Sequence, residues 1–67
     1  MDPSEIKLKY DVPFEVSEAA FKIIMNNLSG TCAGRKEDNG RYFIKVWMCA
    51  YIKKIKQVII DNPLIKA

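Results

Sequence analysis

The sequence predicts an α+β fold: a two-layer sandwich in β-α-β-β-α order, with a three-stranded antiparallel sheet of order 1-3-2 and both helices on one face. Three observations carry this expectation. Apolar and charged residues alternate over residues 6–12; the apolar spacing becomes helical in two later segments; and Asn39-Gly40 stands between two strand-like stretches.

The first strand is expected over residues 5–12. Ile6, Leu8, Tyr10 and Val12 alternate with Lys7, Lys9 and Asp11, the period of a half-buried strand. Pro13 limits it, because proline has no N–H to give to a ladder. Ser17 is a good N-cap for a helix over 17–29, and Glu18 complements the positive end of its dipole. Ala20, Phe21, Ile24, Met25 and Leu28 form the apolar stripe of that helix, and Gly30 is placed to cap its end. Asn39-Gly40 suits a two-residue type I′ turn, with positive φ at both positions, between strands over 31–37 and 41–48. Gly34 marks a potential bulge in the earlier of these two strands. A second helix over 49–61 carries Tyr51, Ile52, Ile55, Val58 and Ile59 on one side and Lys53, Lys54, Lys56 and Gln57 on the other. Asp61-Asn62-Pro63 ends it.

A right-handed crossover followed by a hairpin places the third strand in the middle of the sheet. Tyr42, Ile44, Val46 and Met48 then form the face packed on the helices, and Arg41, Phe43, Lys45 and Trp47 the outer face. With an even number of residues in the hairpin loop, Thr31 and Ala33 face inward. Cys32, Gly34 and Lys36 then share the outer face, joined by Lys7 and Lys9 of the first strand. Phe21, Ile24, Leu28, Ile44, Val46, Ile52, Ile55 and Ile59 are the expected core.

The 67 residues are read as a single domain spanning 1–67, with 1–4 and 63–67 loose or edge-forming. A domain this small buries only about 60% of its unfolded surface, so an additional source of stability is expected. With no His and two Cys there is no metal set, and the supplement expected is a second subunit. Cys32 and Cys49 are expected as free thiols, since diagonal strand neighbours lie about 7–8 Å apart, at the limit for a disulfide. The polar, acidic opening residues do not resemble a secretory signal, and no apolar run approaches a membrane span; a cytoplasmic location is expected.

No catalytic residues, metal or cofactor are expected. The absence of His removes the common acid–base partner of a cysteine or serine nucleophile. The carboxylates form no obvious pair, and no glycine run resembles a phosphate loop. The candidate interaction face is Phe43 and Trp47 with Arg41, Lys45, Lys7, Lys9 and Lys36. Burying such aromatics is worth roughly 1.5–3 kcal/mol each, so something is expected to cover them. The reading adopted is a non-enzymatic binding or structural module that forms a homodimer. The alternative is a nucleic-acid-binding accessory protein that stacks bases on this face. No membrane and no small-molecule ligand is expected. The net charge of +3 permits a polyanionic partner without requiring one.

Overall fold

The computed structural model describes residues 6–64, the Cys49 side chain excepted. Its elements are β1 (Phe14–Val16), α1 (Glu18–Asn27), β2 (Cys32–Lys36), β3 (Tyr42–Val46) and α2 (Ile52–Asp61), with 3-10 turns at Ser29–Thr31 and Cys49–Tyr51. Both neighbours of β3 are antiparallel to it, and the sheet order is β1-β3-β2, as expected. Ile44 and Val46 on β3, Ala20 and Ile24 on α1, and Ile55 and Ile59 on α2 belong to one buried cluster. The alternation of β3 and the helical stripes therefore converge on a single apolar layer. Phe21, Leu28 and Ile52, expected in that core, are only partly buried at its margin.

The first strand is displaced from its expected position. Residues 6–9 form no ladder, and β1 is the short segment after Pro13. Asp11 has a left-handed φ of 60°, and Tyr10 makes an isolated bridge to Val46 in the parallel sense. The chain therefore turns back on itself between Tyr10 and β1, which runs antiparallel to β3. The alternation over residues 6–9 is nonetheless physical, for Leu8 is buried while Lys7 and Lys9 are exposed. It reports an extended segment packed on the core without strand partners. Tyr10 and Val12, beyond that segment, are exposed.

α1 begins where the sequence indicates. The Ser17 hydroxyl accepts from the Ala20 N–H (3.1 Å) and donates to the Asn62 carbonyl (2.7 Å), so one side chain caps α1 and holds the end of α2. Gly30 is not the cap; Leu28 occupies that position, and the chain enters the 3-10 turn directly.

The hairpin also departs from the expected turn. Glu37 N–H donates to the Arg41 carbonyl (2.8 Å) and Gly40 N–H to the Glu37 carbonyl (3.0 Å), enclosing the three residues Asp38, Asn39 and Gly40. Gly40 alone in this loop has positive φ, at 82°. Asn39 instead accepts the Arg41 N–H on its side-chain oxygen (3.0 Å). Adding one residue to the loop shifts the register by one and exchanges the faces of β2. Cys32, Gly34 and Lys36 pair with Val46, Ile44 and Tyr42 on the helix side, and Ala33 and Arg35 face outward.

That register explains Gly34. The pairing runs through it without a bulge. A Cβ there would lie 2.5 Å from both Met25 Sδ and Phe21 Cε1, so α1 sits directly against bare backbone. Gly34→Val is expected to lower stability by about 1–3 kcal/mol, the usual result of overpacking. Gly30→Ala, with open space around the new methyl and no positive φ, should stay within about 0.5 kcal/mol of wild type. Urea midpoints for both variants check the pair; equal midpoints would show that α1 is not seated on Gly34.

Candidate interaction surface

The outer face of the sheet is built in rows across the three strands. Phe43 lies between Glu15 of β1 and Arg35 of β2, and Lys45 pairs with Ala33 of β2. Pro13, Ala33, Arg35, Phe43 and Lys45 line an open depression of about 330 Å³. A second depression, about 390 Å³, continues past Phe43 toward the hairpin between Glu37, Asn39 and Arg41. Phe43 and Glu37 line both depressions, and Phe43 is only half-buried.

The cations of this face are already engaged. Arg41 grips Glu15 through two nitrogens (2.9 and 2.6 Å), and its guanidinium lies 5.4 Å from the centre of the Phe43 ring. The Glu15 hydrogen bond and charge push the Arg41 pKa further above its already high value. Arg35 pairs with Glu37, and Lys45 lies 3.9 Å from Asp11. Every expected cation that reaches the face thus meets an anion on or beside it. Exposed pairs of this kind contribute little to stability. They do make the face electrically mixed rather than basic.

Three of the expected site lysines lie elsewhere. Lys7 and Lys9 belong to the segment before β1, and Glu15 occupies the outer-face position of that edge strand. Lys36 is turned to the helix side by the hairpin register, with its ammonium 5.6 Å from the Tyr42 ring centre. Trp47 lies beyond the end of β3, where its indole N–H donates to the Gly30 carbonyl (3.3 Å) and 42% of the residue remains exposed. Met48, expected on the inner face, is 43% exposed because the strand has already ended. The sequence-based patch therefore divides in two: Phe43 with paired charges on the sheet, and Trp47 at the junction with α2. Glu15, Pro13 and Ala33 were missed, since each required the correct register of an edge strand.

On the helix side, the Tyr42 hydroxyl donates to Glu18 (2.8 Å), and the Tyr42 ring packs on Phe21 with centroids 4.8 Å apart. Cys32 carries a free, buried thiol whose pKa is raised by burial, which disfavours the reactive thiolate. Among the described residues no three Cys, Asp or Glu side chains are grouped to hold a metal ion, and no helix is long and apolar enough to cross a membrane. No protein-family model, curated protein or solved structure matches the chain.

The Glu18 carboxyl is held below its ordinary pKa of 4.5, first by the Tyr42 hydroxyl and then by Lys22. A carboxylate with a depressed folded pKa adds stability that is complete above its unfolded pKa and lost as pH falls through the folded value. Tyr42→Phe should raise the Glu18 pKa toward 4.5, as followed by carboxyl-carbon NMR titration. An unmoved titration would assign the shift to Lys22 alone.

Proposed function

We propose that this chain is a non-enzymatic binding module whose outer sheet face docks a second copy of itself. The observation that carries the reading is the character of that face: an aromatic floor at Phe43 within a border of cations each matched by an anion. A mixed-sign surface of this kind is complementary to its own copy under a two-fold axis, as an isologous interface requires. It attracts a polyanion weakly, because Arg41 and Arg35 would first have to leave their carboxylates. Both helices pack on the opposite side, so stacking two outer faces buries surface that neither helix covers.

Size supports the same reading. A standard interface takes about 800 Å² from each partner, a sizeable part of the 4632 Å² this chain exposes. A second subunit is also a remedy open to a small domain whose described residues show no disulfide and no metal-binding group. The free thiol of Cys32 supports a reducing, cytoplasmic-type setting.

Sedimentation velocity over a wide concentration range tests the proposal. Wild type should pass from monomer to dimer as concentration rises. Ala33→Arg, which adds bulk and unmatched charge at an exposed position, should weaken association by at least about tenfold, or 1.4 kcal/mol, with little effect on the fold. Phe43→Glu should act in the same direction. A wild-type chain that stays monomeric at millimolar concentration, or an Ala33→Arg variant that associates normally, rejects the outer face as the contact.

A further inference from the structure

Six lysines have no ion pair among the described residues: Lys7 and Lys9 before β1, Lys36 on β2, and Lys53, Lys54 and Lys56 on α2, so half of them share one helix. That helix, α2, contains no acidic residue before Asp61. Asp61 itself accepts from Gln57 (3.0 Å). Lys53 and Lys54 are exposed, whereas Ile55 and Ile59 of the same helix are buried.

Beside these lysines lies the aromatic junction between β3 and α2. Trp47 is anchored by its bond to Gly30 yet 42% exposed, and Met48 follows it. The 3-10 turn then brings Tyr51 N–H to the Met48 carbonyl (3.0 Å), with the Lys54 ammonium 5.9 Å from the Tyr51 ring centre. On the other flank of Val46, Tyr10 is 51% exposed where it bridges to that residue. At this junction the Tyr51 ring and an unmatched lysine, Lys54, lie together, with the exposed Trp47 just before the 3-10 turn, whereas on the outer face the cations are matched.

We infer that this junction, with Trp47 and Tyr51 beside Lys53 and Lys54, is a contact surface for single-stranded nucleic acid. Charge complementarity selects a polyanion, since lysines without counter-charges release phosphate-bound counterions at no loss of internal ion pairs. The exposed Trp47 ring, with the partly buried Tyr51 behind it, selects unpaired bases, which are free to stack on it; a duplex keeps its bases stacked internally. An anionic bilayer fits less well. An interfacial helix must offer a free apolar side, and the apolar side of α2 is spent in the core on Ile55 and Ile59. The inference does not depend on self-association, because the lysines lie on the helical layer and outside the proposed dimer contact.

Fluorescence anisotropy of a labelled mixed-sequence single strand, titrated with the full chain, tests it. Binding should be measurable at low salt and fall steeply as salt rises. Trp47 emission should be quenched on binding. The double variant Lys53→Glu/Lys54→Glu should bind at least about tenfold more weakly, with a log–log salt slope shallower by about 1.4, two phosphate contacts at about 0.7 each. Its melting temperature should match wild type, because both side chains are exposed. Absence of binding at low salt, unchanged affinity in the double variant, or unquenched Trp47 overturns the inference. So does equal affinity for the duplex of the same sequence. Binding to phosphatidylserine-containing vesicles that the oligonucleotide fails to compete away would assign the lysines to a membrane surface and overturn it as well.

Discussion

The register of the β2–β3 hairpin is the constraint on which the rest of this structure depends. It is set by one backbone conformation, the positive φ of Gly40 at the end of a three-residue loop. From that point every β2 residue has an assigned side. Cys32 enters the core beside Val46, Gly34 lies under α1, and Ala33 and Arg35 are delivered to the outer face. A loop shorter by one residue would bury Ala33 and put Gly34 outside, leaving Phe21 and Met25 to meet a side chain where they now meet bare backbone.

Packing of the helices follows from that register. α1 can approach the sheet closely because Gly34 has no Cβ, and the approach brings Ala20 and Ile24 over Ile44 with almost no exposed surface. α2 closes the layer with Ile55 and Ile59, and Ser17 joins the start of one helix to the end of the other. In a domain this small such long-range polar ties matter, since few side chains are available to fill the core. Leu8 adds to it from a segment that belongs to no strand, which gives the residues before β1 a packing role without a ladder.

The same geometry separates two kinds of surface. On and beside the outer face Arg41 meets Glu15 across strands, Arg35 meets Glu37 two residues along the chain, and Lys45 lies near Asp11, so these cations are spent locally. The lysines of α2 meet no carboxylate among the described residues and keep their charge for solvent or a partner. A face with matched charge favours a copy of itself; a face with unmatched charge favours an anion. The two proposals rest on this partition, and they place the two partners on different layers of the fold.

Period and composition were sufficient to read the element types, the sheet order, and most of the core. Helical stripes ending at Leu28 and Ile59, alternation through Ile44 and Val46, and the position of the hairpin at Asn39-Gly40, though not its turn type, are local signals, and local signals survive folding when they agree with one another. The position of β1 was not local. Residues 6–12 and residues 14–16 both suit an extended chain, and only the turn at Asp11 decides that the shorter segment pairs with β3. The candidate surface was legible in part, through Phe43, Arg41 and Lys45, whose side follows from β3 alone. Lys36, Lys7 and Lys9 were misplaced because their sides depend on the length of one loop and the path of one edge. Composition determined that this chain has aromatics and excess lysine; tertiary structure decided which aromatics are exposed and that Lys45 meets Asp11 while the α2 lysines meet no carboxylate among the described residues, because these outcomes depend on distances between residues far apart in sequence.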